Sequence, residues 1–331
     1  MLYLKHVTFI LPIFISIFVV FPNQAIASQK VCAIYPHLKD SYWISVNYGM
    51  VKEAEEQGLH LKVYESGGYP NINKQKQQLI DCRLWGADAI ILGTVSPDAY
   101  LNKLPELVGN IPLFSTVNNL IIGEADRENF AGQVGVDWYW MGYYAGEYLA
   151  KKHPTNSGTV RVAWLPGPKT SGGTKPSTQG FYDAIENSDV VIMRTFWADN
   201  DKELQRNLIQ EVFEVPNIDY IVGSAVAIEA AISETRVSLK NRDIGLISTY
   251  LSHGVYRGIL RNKVLFAPTD KMALQGKLSI QQASSYLQGN SYNKQLSPII
   301  EPLTPDSLDR TIIEQSLSPS NFRPIFSVGT E

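Results

Sequence analysis

The side chains that most often carry catalysis or bind metals are few and scattered in this sequence. The five histidines stand at positions 6, 37, 60, 153 and 253, without the spacing that brings two imidazoles to one face of a helix. The segment 167–175 (GPKTSGGTK) follows a predicted strand, but the Lys-Ser/Thr pair that a phosphate-binding loop needs is displaced. No nucleophile elbow, dinucleotide-binding glycine motif or paired-carboxylate signature occurs. We therefore expect no metal ion, no cofactor and no enzymatic activity.

Aromatic side chains form the second group with chemical potential, through binding rather than reaction. The chain has 6 Trp, 17 Tyr and 12 Phe. Several of them follow the carboxyl ends of predicted strands, where open parallel sheets bind ligands. They stand in Asp40-Ser41-Tyr42-Trp43, at Tyr69, in Trp138-Tyr139-Trp140 and at Tyr250. Any one of them could belong to the core, but several at the mouth of one cleft favour an aromatic cage.

An aromatic cage suits a particular class of ligand. A methylated ammonium group has a diffuse positive charge and apolar methyl groups, and it donates no strong hydrogen bond. The expected cage residues are Tyr42, Trp43, Trp138, Trp140 and Tyr250. We expect Tyr139 to face the core of its own lobe, because neighbouring residues of a helix do not share a face.

The elements that position these residues form two successive runs of strands and helices. The first run begins with a strand at 30–36 and a helix at 42–57, and the pattern restarts with a strand at 133–136. Strands that alternate with helices of this length predict parallel sheets with helices on both faces. The segment from 297 onward lacks this periodicity, and we expect it to pack as an extended tail in which 323–328 is a candidate strand.

Composition excludes one class of partner. The 331 residues carry 29 Lys+Arg against 32 Asp+Glu, a formal charge of −3, and 44% of the residues are hydrophobic. A nucleic-acid-binding protein needs a basic face, and a disordered chain has much less apolar surface. The composition predicts a folded protein that does not bind nucleic acid.

Residues 1–27 have the features of a secretory signal peptide. Lys5 precedes an apolar run at 9–21, and Ala25-Ile26-Ala27 form a small-residue cleavage site. A membrane anchor is the weaker alternative, because a bilayer needs roughly 20 apolar residues. We therefore expect cleavage after Ala27 and export to the periplasm.

The two cysteines are candidates for a disulfide in an oxidising compartment. Cys32 lies at the start of the first predicted strand, and Cys82 lies near the end of the second predicted helix. In a βαβ unit these two ends are neighbours, so a Cys32–Cys82 bridge is geometrically reasonable. Two buried thiols are the alternative.

Over nearly all of the exported chain, the sequence resembles the type I periplasmic binding proteins, the ribose-binding and LacI-like family. The matching residues include Tyr42-Trp43 before Gly49, Gln75-x3-Leu79 through Gly86 to Leu92, Ile111 to Asn119, Val136-Asp137 with Gly142, Gly180-Phe181, and Asp270-x5-Gly276. The resemblance implies two Rossmann-like lobes with parallel sheets, joined by a three-stranded hinge. We expect a signal peptide at 1–27, an N-terminal lobe at 28–134 plus 271–296, and a C-terminal lobe with the tail at 135–270 plus 297–331.

The departures from the sugar-binding members concern the ligand. After one strand of the C-terminal lobe those relatives carry an Asn-Asp pair, and this chain has Gly223-Ser224. After the next strand they carry an Asp, and this chain has Thr249-Tyr250. Sugar hydroxyls need polar partners, and an unpaired buried hydroxyl costs about 1–3 kcal/mol. A sugar is therefore a poor fit.

The two aromatic segments are most similar to those of a periplasmic sensing component for trimethylamine N-oxide (TMAO). This resemblance implies TMAO as ligand and the periplasmic sensor domain of a membrane histidine kinase as partner, with the protein peripheral to the membrane. We expect Tyr69, together with a further hydroxyl or backbone N–H group, to bind the oxide oxygen. We expect Asp40 to face the positive nitrogen or to share a proton with the oxide. The alternative is a substrate-binding subunit of an importer for a sugar or other small solute.

Overall fold

The computed structural model describes residues 1–3, 28–238 and 240–329. Apart from its first three residues, the predicted signal peptide lies outside the described residues. Within these ranges, no helix is long and apolar enough to cross a membrane.

The first run of elements builds most of one sheet. Its members are β1 (Lys30–Tyr35), α1 (Ser41–Gln57), β2 (His60–Glu65), α2 (Ile72–Leu84), β3 (Ala89–Leu92), α3 (Leu104–Val108), β4 (Leu113–Thr116) and β5 (Phe130–Val134). Strands β1, β3 and β4 are buried almost throughout. Strands covered on both faces by helices need such continuous apolar runs, because neither face meets water.

The second run builds a smaller sheet and the helices around it. It comprises α4 (Trp138–Lys152), β6 (Val160–Gly167), α5 (Thr174–Ile185), β7 (Val190–Trp197), α6 (Lys202–Glu214), β8 (Tyr220–Gly223), α7 (Ala225–Val237), β9 (Gly245–Ser248) and α8 (His253–Leu260). The strand order is β7-β6-β8-β9, and all pairs are parallel. In its core, the rings of Trp164 and Phe181 stack with centroids 4.4 Å apart.

The last part of the chain, from Ala267 onward, returns to the first sheet. It contains β10 (Ala267–Thr269), α9 (Met272–Leu287), β11 (Gln295–Leu296), β12 (Glu301–Leu303), α10 (Arg310–Ser316) and β13 (Ser327–Val328). The seven-stranded sheet has the order β11-β5-β4-β3-β1-β2-β13. All its pairs are parallel except β2-β13. Strands β10 and β12 form a separate antiparallel pair.

We call the seven-stranded sheet with α1, α2, α3 and α9 the first lobe, and the four-stranded sheet with α4 to α8 the second lobe. Helices α1 and α9 pack closely, since a Cβ at Gly49 would lie 1.9 Å from the carbonyl oxygen of Ala273. The predicted α/β class with parallel sheets is confirmed. The residue division between the lobes stays a prediction, apart from its tail.

The prediction that residues 297–331 belong with the C-terminal lobe does not hold for α10 and β13, which contact the first lobe. Helix α10 packs on α9, and β13 pairs with Leu61 and Lys62 of β2. The Asn47 side chain accepts from the Ile325 N–H and donates to the Ile325 carbonyl, both at 3.0 Å. Strand β2 would otherwise be a sheet edge with unpaired backbone N–H and C=O groups, and the tail pairs with these groups.

The predicted disulfide is confirmed. Cys32 in β1 and Cys82 in α2 are bonded to each other, and both are fully buried. The bond ties the start of the first strand to the end of the second helix, at the side of the sheet away from the strands' carboxyl ends.

Candidate functional site

A small cavity lies between the two lobes, at the carboxyl ends of the strands of both sheets. Its volume is about 30 Å³, whereas a void of roughly 10–15 Å³ holds one water molecule. Six of the seven predicted binding residues line it, namely Asp40, Tyr42, Trp43, Tyr69, Trp138 and Tyr250. The space suits a ligand of a few heavy atoms and is small for a sugar.

Helix caps aim the aromatic residues of the first lobe into this cavity. Asp40 is the N-cap of α1, and its Oδ1 accepts the N–H groups of Tyr42 at 3.1 Å and Trp43 at 3.2 Å. An aspartate at this position satisfies donors that the first turn of a helix leaves unpaired. The cap therefore places both rings on the first turn, where each is at least 96% buried. Asp40 keeps its second carboxylate oxygen for other partners.

Three rings from the two lobes form the cage. The centroid of the Tyr42 ring lies 5.3 Å from that of Tyr250 and 6.2 Å from that of Trp138. Trp138 and Tyr250 are 6.0 Å apart, edge to face. The Trp138 indole N–H donates to the Val117 carbonyl of the first lobe at 3.1 Å, which fixes the ring. The cage therefore exists only when both lobes contribute.

Two buried phenol hydroxyls supply hydrogen-bond donors. The Tyr69 oxygen accepts from the Asn118 side chain at 3.4 Å. Burial raises the pKa of Tyr69 to about 12, so this hydroxyl keeps its proton at neutral pH. The Tyr250 hydroxyl has no hydrogen-bond partner among the described residues, and burial raises the pKa of Tyr250 well above its usual value. Either hydroxyl is suited to donate to a ligand oxygen.

A buried carboxylate lies behind the cage. Asp270 follows β10 and is fully buried. Its Oδ2 accepts hydrogen bonds from the Tyr42 hydroxyl and, at 2.7 Å, from the Gln275 side chain. Burial raises the pKa of Asp270, while both hydrogen bonds act in the opposite direction. The contact fixes the Tyr42 ring to the segment that joins β10 to α9.

The seventh predicted residue, Trp140, does not line the cavity. This side chain is 44% exposed and packs against Tyr139, Tyr143 and Tyr144 on the outside of α4. Residues two apart on a helix point in directions roughly 200° apart. Trp138 and Trp140 therefore cannot both face the cavity. Tyr139 also misses the core, since it is half-buried and donates to Asp183 at 3.0 Å.

Several polar residues that line the cavity were not predicted. Asn118 follows β4, Ser171 comes from the loop after β6, and Thr174 is the first residue of α5. The sequence interpretation assigned that loop no role in binding. It follows the carboxyl end of a parallel strand, like every predicted site segment, and this signal could have identified it.

The lobes are closed over the cavity. The His253 N–H of the second lobe donates to the Ser41 hydroxyl of the first lobe at 3.0 Å. A Cβ at Gly68 would lie 2.9 Å from Oδ2 of Asp199 in the opposite lobe. Gly68 also has a φ of +140°, a conformation that L side chains rarely adopt. A glycine is therefore required where the two lobes meet at this rim.

Among the described residues, no three His, Cys, Asp or Glu side chains are grouped to hold a metal ion. The chemistry available at the site is thus that of aromatic rings, hydroxyls, amides and the Asp40 carboxylate. Groups of these kinds suit a small cationic or dipolar ligand.

Comparisons with known proteins agree with this geometry. One family model, which describes the periplasmic binding proteins and the sugar-binding domain of the LacI family, matches residues 28–324. The periplasmic protein TorT of Escherichia coli (strain K12) is 43% identical over 306 residues, which cover 92% of this chain and 86% of that protein.

Solved structures give the same relatives. One similar chain comes from a complex of the TorS sensor domain with TorT in the absence of ligand. It matches with a TM-score of 0.86 and 64% sequence identity, and the match covers 90% of this protein and 100% of the solved chain. The same complex in the presence of TMAO gives a TM-score of 0.85 at 64% identity, with the same two coverages.

Proposed function

This chain belongs to the family of periplasmic binding proteins and sugar-binding domains of LacI type, and we propose that it is a periplasmic sensor of trimethylamine N-oxide. In this proposal the protein passes the signal to the sensor domain of a membrane histidine kinase, which regulates respiration on TMAO. Its similarity to TorT, and to TorT chains solved with the TorS sensor domain, supports both the ligand and the partner.

The observation that carries the proposal is the cage itself. Tyr42, Trp138 and Tyr250 bring three ring centroids within 6.2 Å of one another, beside a cavity of about 30 Å³. Ring faces attract a desolvated cation by roughly 0.5–2 kcal/mol per contact. Three contacts hold a trimethylammonium group without any hydrogen bond to it.

The oxide oxygen of TMAO needs a donor, and Tyr69 or Tyr250 provides one. The high pKa of Tyr69, about 12, keeps its proton on the hydroxyl, and a hydrogen bond to a charged acceptor contributes about 1.5–3 kcal/mol. Asp40, which lines the cavity, places a carboxylate near the positive nitrogen. In this proposal the ligand is bound and not converted.

Signalling follows from the cross-lobe construction. A ligand that contacts Tyr42 of one lobe and Trp138 and Tyr250 of the other stabilises the closed arrangement of the lobes. A kinase domain that binds one arrangement better than the other is then coupled to the ligand, and the coupling acts in both directions.

Isothermal titration calorimetry with TMAO, trimethylamine, betaine and ribose tests the ligand. We expect TMAO to bind most tightly, trimethylamine more weakly because it lacks the oxide, and ribose not at all. Binding of ribose alone would overturn the proposal. A pull-down then tests the partner, since recovery of a permease instead of a histidine kinase identifies an importer subunit.

A further inference from the structure

A long groove runs over the second lobe between α6, α7 and α8, away from the cage. Its volume is about 900 Å³, and seven of its lining side chains are Lys or Arg while three are Glu. The whole chain has more acidic than basic residues, 32 against 29. The lining of the groove therefore has a positive net charge, whereas the whole chain has a negative one.

The acidic residues of the groove already have partners. Glu234 pairs with Arg206 at 2.9 Å, and Glu203 lies 3.8 Å from the same guanidinium. Glu229 accepts from the Ser252 hydroxyl at 2.5 Å. Within the described part of the chain, five cations of the groove form no ion pair, and all five are exposed: Lys202, Arg236, Arg257, Arg261 and Lys263.

Helix stability explains only part of this cluster. Arg236 and Arg257 lie in the last turns of α7 and α8, where a cation interacts favourably with the helix dipole. Lys202 is the first residue of α6, where a cation is unfavourable. Cations gathered from three helices into one concave surface instead favour an anionic partner.

The shape of the groove indicates what kind of partner. Its lining includes Ala230, Ile232 and Val237, and the Val237 side chain is 71% exposed. A concave surface with an apolar side and a cationic rim fits a helix or extended segment that carries carboxylates. A flat anionic bilayer cannot enter such a groove. The groove thus favours an acidic protein segment over a lipid surface.

We propose that this basic groove docks an acidic segment of the kinase's periplasmic sensor domain. The identity of the partner rests on the function proposed above. Helix α8 links the two sites, because its N-cap Ser252 comes two residues after Tyr250 of the cage, and Arg257 and Arg261 stand at its other end. Closure at the cage and docking at the groove therefore act on the same helix.

Binding of the full chain to the purified sensor domain, measured by surface plasmon resonance, tests the docking. The test variant is Arg257→Glu/Arg261→Glu. The control is Arg127→Glu/Lys294→Glu, which makes the same change in charge at exposed positions outside the groove. We expect the groove variant to bind at least tenfold more weakly, with a smaller dependence on salt, and the control to stay within twofold of the unmodified protein.

Calorimetry with TMAO separates this inference from the proposed function. Both variants are expected to bind TMAO as the unmodified protein does, which also shows that they are folded. Kinase binding within twofold of normal in the groove variant overturns the docking. If the groove variant loses binding to phosphatidylglycerol vesicles but still binds the kinase normally, the docking is also overturned, because the groove would then be a lipid site. Failure of the unmodified protein to bind TMAO sinks the proposed function instead.

Discussion

At the scale of single residues, Trp138 and Trp140 show how much two positions on one helix can differ. Trp138 lines the cavity and donates to Val117 across the lobes. Trp140 is 44% exposed and packs on neighbouring tyrosines. The two residues have the same side chain in the same first turn of α4. They therefore form a matched pair for testing the cage.

We predict that Trp138→Ala weakens TMAO binding at least tenfold, because it removes one wall of the cage and its cation–π contact. Trp140→Ala is expected to leave the affinity unchanged. Calorimetry measures both, and circular dichroism checks that both variants fold. Equal losses of affinity in the two variants would contradict the assignment of the cavity as the binding site.

Tyr69 tests the oxide contact. Tyr69→Phe keeps the ring and removes the hydroxyl, so we expect TMAO affinity to fall roughly tenfold or more, as for the loss of a hydrogen bond to a charged group. Tetramethylammonium has no oxygen, and its affinity is expected to stay the same. A parallel loss for both ligands would mean that Tyr69 shapes the cavity and does not bind the oxide.

At the scale of elements, local signals mark where the site helices begin. Asp40, Asp137 and Ser252 are N-caps of α1, α4 and α8, and each stands where capping chemistry predicts a start. Helix α3 is the exception. It runs only from Leu104 to Val108, because Asn102 adopts a φ of +57° that no helix continues.

The disulfide acts on the stability of an element pair and not on the site. It closes a loop of 50 residues between β1 and α2, and loss of such a link costs about 2–4 kcal/mol. We predict that Cys32→Ser/Cys82→Ser lowers the free energy of unfolding by this amount, measured by urea denaturation. TMAO affinity is expected to be unchanged, since the bond lies at the opposite ends of the strands. Reductant should destabilise the unmodified protein and leave the double variant unaffected.

At the scale of the whole molecule, the proposed binding depends on closure of two lobes around one small cavity. Tyr42 comes from the first lobe, while Trp138 and Tyr250 come from the second, so neither lobe holds the ligand alone. The rim at Gly68 and Asp199 shows how closely the lobes approach. A partner that binds the closed arrangement of the lobes better than the open one responds to this step.

Gly68→Ala tests this step. The added Cβ would lie 2.9 Å from Asp199 Oδ2, in a backbone conformation that alanine avoids. We predict weaker TMAO binding, by roughly tenfold, and a loss of the compaction on ligand addition that small-angle X-ray scattering detects. The control Gly289→Ala has a φ of +69° but nothing within 4 Å of its Cβ. Normal compaction in the Gly68 variant would show that closure does not need this contact.

The sequence by itself determined the alternation of strands and helices, the pairing of Cys32 with Cys82 as a candidate, and the aromatic residues at strand ends. These features depend on periodicity, capping and the rule that parallel sheets bind ligands at one edge, all of which act over short distances along the chain. The resemblance to a known family added the ligand class and the partner.

Only the tertiary structure decided which of these residues form the site. It turned Trp140 outward, placed Asp270 behind Tyr42, brought the loop with Ser171 to the cavity and carried the tail to β2. Each outcome depends on the exact rotation of a helix or on contacts between residues far apart in the chain. Local sequence patterns do not encode such contacts, because their energy comes from packing the whole molecule together.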